Sequence, residues 1–191
     1  MKKPTLALLA CALLAPVSTL AFADETALLE EARGVASGIP PKLLAVLKSE
    51  IEKGGPEGAI SVCRDKAPQM AKEASAKTGW MIRRVSLKNR NPKAVPDAWE
   101  RTALEEFDRR AAAGEAPATL EKGEIVADGD GRSYRYMKAL PTQPLCLACH
   151  GSSADIGPAV RTKLESLYPA DQATGYKVGD IRGAMTIRKP L

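Results

Sequence analysis

Two thiols and an imidazole fall within five consecutive residues, Cys146-Leu147-Ala148-Cys149-His150, and His150 is the one histidine among 191 residues. This spacing suits haem attachment: each S–H adds across a vinyl group to leave a thioether, and the adjacent imidazole reaches the iron. A Cys₃His zinc site built from Cys63, Cys146, Cys149 and His150 is a competing chemistry, and a Cys146–Cys149 disulfide is a third. Consecutive side chains such as Cys149 and His150 diverge, which argues against a shared zinc ion. A disulfide would strand Cys63 as a lone thiol. The motif therefore implies one covalently attached haem c, with thioethers at Cys146 and Cys149 and His150 as proximal iron ligand.

With the solitary histidine so used, the sixth iron position cannot be a second imidazole. Cys63, one of Met70, Met81, Met137 or Met185, a lysine, a tyrosine, water or an empty position remain open. Methionine is the common choice in electron-carrying cytochromes, although each methionine also serves well as adaptable core filler. Cys63 reads equally well as a buried inert thiol. A ferric iron would lower its pKa and hold it as thiolate, which stabilises the oxidised form and lowers the reduction potential.

The N-terminus bears on the same chemistry, because c-type haem is attached outside the bacterial cytoplasm. Lys2 and Lys3 precede an apolar stretch from Leu6 to Leu14, and Ala21-Phe22-Ala23 supplies a small-x-small cleavage pattern, so residues 1–23 read as a secretory signal peptide. The stretch is too short for a spanning helix, and lipid attachment at Cys11 would require an unusually short leader. The expected location is the periplasm. Loss of Lys2 and Lys3 takes the formal net charge from +5 to +3. Charges of both signs alternate, which gives no support for nucleic acid or a membrane surface as partner. Residues 24–191 suit a single domain.

The elements that must position these residues are legible in outline. Ala27, Leu28, Leu29, Ala32 and Val35 predict a helix ended by Gly38 and Pro40-Pro41. A second helix from Pro41 to Gly54-Gly55 would turn Leu43, Leu44, Val46, Leu47 and Ile51 inward. A third starts near Pro56, with Ala59, Ile60, Val62, Cys63 and Ala67 on its apolar side and a kink or restart at Pro68. Trp80 to Val85 reads as a strand. Asp97 with Glu100 forms a capping-box pattern ahead of the stripe Trp99, Ala103, Leu104, Phe107 and Ala111. Asp128-Gly129-Asp130-Gly131 between two extended runs predicts a hairpin. A helix from Pro158 to Tyr168 and a strand from Gly179 to Ile187 complete an α+β domain on a small antiparallel sheet.

The chain resembles a family of exported single-haem c-type proteins with a PAS-like fold, first described structurally in a cyanobacterium. The resemblance runs through Ala59-Ile60-Ser61-Val62-Cys63 with Ala67-Pro68, Ile82 to Lys88, Asn89-Arg90-Asn91-Pro92, Pro96-Asp97-Ala98-Trp99-Glu100, Cys146 to Gly151 and Gly179 to Ala184. It departs at Lys93-Ala94-Val95, a loop. It implies a PAS-like sheet flanked by N-terminal and connecting helices, with iron held by His150 and by an upstream cysteine that maps onto Cys63. Because the family's sheet faces the haem, Arg83, Arg84, Lys88 and Arg90 become candidate propionate contacts.

These readings converge on a periplasmic monohaem protein that moves single electrons or reports redox state to a protein partner. The alternative is a gas or redox sensor in which Cys63 is a displaceable ligand. Enzymatic activity such as a peroxidase is not expected, since it needs an open iron position and an acid/base group beside it, and no second histidine exists to supply that group.

Overall fold

Four strands, β1 (Met81–Val85), β2 (Glu121–Asp128), β3 (Gly131–Pro141) and β4 (Ile181–Pro190), pair antiparallel into one sheet of order β1-β4-β3-β2. The computed structural model describes residues 18–191, with side chains from Glu25 onward. Residues 1–17 of the expected leader, Cys11 among them, lie outside the described residues.

Side chains alternate across a strand, so the sheet has two different faces. On one, Trp80, Tyr134, Tyr136, Met185 and Ile187 pack against Leu28, Ala32 and Ala36 of helix α1 (Ser18–Gly38). On the other, Val85, Met137, Ala139 and Ala184 meet Ala103, Leu104 and Phe107 of helix α4 (Ala98–Ala112). Each large apolar side chain buried this way contributes about 1.5–3 kcal/mol. The domain is thus an α+β arrangement around a small antiparallel sheet, consistent with the PAS-like plan.

The hairpin and the cap form as their local chemistry demands. β2 and β3 pair from Glu121↔Lys138 to Asp128↔Gly131 around Gly129-Asp130, and Gly129 takes a φ of +59° that a side chain would disfavour. Asp97 accepts from the Glu100 N–H, and the Glu100 carboxylate accepts from the Asp97 N–H in return, a reciprocal pair worth about 1 kcal/mol.

Helix α2 (Pro40–Gly58) is interrupted at Gly54 and Gly55, whose backbone is not helical, so Pro56 opens a separate turn as the sequence leads one to expect. None of its residues is buried, however. Leu43, Leu44, Leu47 and Ile51 are half-exposed and Val46 is exposed, because α2 packs mainly against α1, the following turn and helix α6 (Pro158–Leu167) rather than lying flat on a core. No described helix is long and apolar enough to cross a membrane.

Candidate functional site

Cys63 stands on a π-helical turn, Val62–Lys66, closed by the Ala67 N–H donating to the Val62 carbonyl. A π turn accommodates one residue more than an α turn and so rotates the chain locally. Val62, with Ala59 and Ile60, is buried, while Cys63 is exposed rather than part of the apolar side. The turn then passes into helix α3 (Ala67–Thr78), with Pro68 in its first turn where a missing N–H costs nothing. An inert buried thiol does not describe this position.

The pentapeptide follows β3. A 3₁₀ turn, Pro144–Cys146, runs into the single helical turn α5 (Leu147–His150), which presents Cys146 buried, Cys149 half-buried and His150 buried. Cys149 packs on Ile60, Ile156, Val160 and Leu164, so the motif loop is seated on α6 and on the helical segment just ahead of Cys63. All three described cysteines are unpaired. Among the described residues, no three His, Cys, Asp or Glu side chains stand close enough to share a metal ion, which gives the zinc alternative no geometric basis.

His150 is oriented by its neighbours. A carbonyl can only accept, so the 2.7 Å contact between Nδ1 and the Ala173 oxygen places the proton on Nδ1 and leaves the lone pair on Nε2. Nε2 accepts from Nη1 of Arg182 at 3.0 Å. Burial, then the charges of Arg182, Arg90 and Arg84, hold the imidazole pKa well below its ordinary value against the opposing Ala173 hydrogen bond. The ring is therefore a neutral, single-tautomer donor, the form that ligates metals. Tyr176 stands edge-on to it at a centroid distance of 6.4 Å.

Arg84 and Arg182 give the site its charge. Arg84 donates to the Arg182 backbone carbonyl at 2.9 Å, the Nε of each is buried without a partner, and among the described residues neither guanidinium has a carboxylate. Burial and the Arg182 charge push Arg84 down to about 9, opposed by Cys63, Tyr176 and Cys146, so it stays charged at neutral pH. Cys63 also acts on Cys149, whose thiol is pushed up by burial and by Cys63 and Cys146 against Arg90 and Arg182. The three cysteines, His150 and two unpaired cations thus form one electrostatic neighbourhood. Gly183 allows it: φ is +132° there, and a Cβ would meet the Val85 oxygen at 2.2 Å, so only glycine brings β4 this close to β1 beside Arg182.

The other candidate cations go elsewhere. Arg83, one residue from Arg84 and therefore on the opposite face, binds the buried Glu100 carboxylate and the Val95 carbonyl. Lys88 donates to the Thr174 carbonyl at 2.6 Å and covers the Tyr176 ring. Arg90 is committed to Asp171 and to the carbonyls of Cys149 and Ala173. Among the methionines, Met137 lies in the α4-side core, Met185 in the α1-side core, Met81 is exposed, and Met70 is half-buried on α3. A cleft of about 470 Å³ between α4, Lys88, Tyr176 and Ile181 contains none of Cys63, Cys146, Cys149 or His150. Arg182, Ala173, Asp171 and Tyr176 were not singled out by spacing; of these, Arg182 lies within the Gly179 to Ala184 segment that carries the resemblance.

Two anionic propionates, an iron and two vinyl groups are what haem offers, and this neighbourhood holds two guanidiniums without carboxylate partners, the Nε2 lone pair of His150 and two thiols. The donor set fits the group.

No curated protein matches the chain. A solved structure, described as the crystal structure of the cyanobacterial heme-protein Tll0287, superposes with a TM-score of 0.52 at 32% identity, over 68% of this chain and 71% of that one. The Tll0287-like family model matches residues 21–190. The chain belongs to the Tll0287-like family.

Proposed function

We propose that this protein is an exported, periplasmic monohaem c-type protein whose role is single-electron transfer or redox signalling at low potential. The observation that carries the reading is the placement of the unpaired Cys146 and Cys149 next to a buried, Nδ1-protonated His150 whose Nε2 faces Arg182, with the half-buried Arg84 beside it and neither arginine having a carboxylate partner among the described residues. Kinship with a protein described as a heme-protein supports it, as does the leader pattern in residues 1–23.

What the haem supplies when bound is a one-electron couple at its iron. The chain supplies the rest. Cys146 and Cys149 anchor the group covalently. His150 ligates through Nε2, with Nδ1–H tied to Ala173 so that the ring neither rotates nor switches tautomer. Arg182, which faces Nε2 here, and Arg84 would be the cations available to pair with the propionates. Cys63, exposed on the π turn, would be the second iron ligand, and a thiolate there would favour the ferric form.

The exposure of Cys63 and its placement on a π turn favour a second reading, in which this ligand leaves and a small gas takes its place. Carbon monoxide added to the ferrous protein separates the two. Fixed ligation predicts an unchanged spectrum, and rapid conversion to a carbonyl-bound spectrum would move the protein to the sensor class. A pyridine haemochrome assay on the same sample tests both readings, because a non-covalent or absent haem contradicts each.

A further inference from the structure

Arg90 sits in the loop after β1, far in sequence from the haem motif, yet its guanidinium makes three hydrogen bonds around His150. Nε donates to Asp171 at 2.8 Å, and Nη2 donates to the Cys149 carbonyl at 2.6 Å and to the Ala173 carbonyl at 3.3 Å. The Asp171 carboxylate accepts in turn from the Ala173 N–H at 2.8 Å. The Arg90 and Asp171 side chains are only 13% and 12% exposed, so this pair is sheltered from the screening that weakens surface ion pairs.

One cation therefore bonds both the peptide that leads into His150 and the carbonyl that receives the His150 Nδ1–H. The backbone continues the clamp: the Gln172 N–H donates to Asn89, Gly175 to Gly151, and Tyr176 to the His150 carbonyl. Nothing in a surface role, or in propionate binding, calls for a planar fork spent on two main-chain oxygens.

We propose that Arg90 is a positioning residue for the iron ligand: through Asp171 and the Cys149 and Ala173 carbonyls it fixes the plane and tautomer of His150 and weakens the acceptor facing Nδ1. Two consequences follow from the geometry. A carbonyl shared with a guanidinium has less electron density for the imidazole N–H, so His150 keeps less imidazolate character and donates less charge to iron. The fixed positive charge also disfavours the ferric state. Both effects raise the reduction potential, opposing Cys63, so Arg90 trims a potential that the thiolate sets low.

The inference rests on the haem reading above, and the test separates the two. Arg90→Gln and Arg90→Lys are made in the full chain and matured with haem, then compared with the unaltered protein by redox titration, by ferric electron paramagnetic resonance, and by exchange of the His150 Nδ1–H. Arg90→Gln is expected to lower the potential, shift the g values and speed Nδ1–H exchange on the order of tenfold or more, the loss of a charge-assisted bond. Arg90→Lys keeps the charge without the fork, so it should restore much of the potential and leave g values and exchange altered. Unchanged g values and exchange in both variants, or full rescue of all three properties by lysine, would overturn the proposal.

If Arg90→Gln fails to fold, Asp171→Asn loosens the same clamp, with faster Nδ1–H exchange expected and unchanged exchange counting against the idea. A wild-type chain without haem would defeat the proposed function instead. The ¹⁵N shifts of its single imidazole would then report on the clamp: an Nδ1-protonated pattern that averages in Arg90→Gln supports it, and identical patterns refute it.

Discussion

Nη1 of Arg182 lies 3.0 Å from Nε2 of His150, on the one nitrogen that the Ala173 hydrogen bond leaves free for a metal. The same guanidinium has no carboxylate partner among the described residues. It protects the imidazole lone pair in the protein described here and is available to an anion once that lone pair is taken.

Arg182→Gln should therefore retain covalent haem, since thioether formation uses only Cys146 and Cys149, but should lower the reduction potential. Loss of a positive charge beside the ligating ring favours the ferric form. Spectroelectrochemical titration beside the unaltered protein checks this. A potential that does not move means Arg182 does not face the cofactor.

Cys63→Ser should act in the opposite direction. Loss of the thiolate should raise the potential and remove thiolate features from the ferric optical and magnetic-resonance spectra. A spectrum identical to wild type would transfer the sixth position to a methionine or to water.

Glu100 tests whether the scaffold can be weakened without touching the site. It is 2% exposed and binds Arg83, Arg135, the Thr186 hydroxyl and the Asp97 N–H. Glu100→Ala takes the acceptor from the Thr186 hydroxyl and the Asp97 N–H, while Arg83 is 46% exposed and Arg135 keeps Asp97, so the loss should be about 1–3 kcal/mol, read as a fall in denaturation midpoint. The haem spectrum of the folded variant should not change.

Acid stability should track carboxylates held down in the folded state. Burial alone would raise the Glu121 and Asp97 carboxyls, but hydrogen bonds and charges outweigh it and hold both below their ordinary values. For Glu121 the partners are Arg33, Tyr136 and Lys138; for Asp97 they are Arg135, the Glu100 N–H and Arg83. Such groups bind fewer protons folded than unfolded, so their contribution is complete above the unfolded values of 4.5 and 3.8 and disappears as pH falls through the lower folded values. Glu121→Gln should flatten the stability profile below about pH 4.5; an unaltered slope in chemical denaturation would contradict it.

Local chemistry made much of this readable in the chain. The capping box at Asp97 and the Gly129-Asp130 hairpin are each encoded within a few residues and form as read, and the Cys146 to His150 segment folds as a short turn leading into helix. The rest depends on pairings that spacing does not reveal. A π turn rotates Cys63 out of the apolar row it shares by α-helical spacing. Alternation along β1 sends Arg83 and Arg84 to opposite faces, and only the structure shows that Glu100 claims one and leaves the other unpaired. Arg182 and Ala173 meet His150 across 32 and 23 residues of sequence. The half-exposed leucines of α2 show a periodicity without a floor to rest on.

The most direct test of the account is the intact mass of the chain after export alongside a working haem-attachment system. The account predicts a chain carrying one haem that survives acid-acetone extraction, held by single thioethers in Cys146→Ala and Cys149→Ala and by none in the double variant. A wild-type mass equal to that of the bare polypeptide, or a double variant that still retains covalent haem, would contradict it.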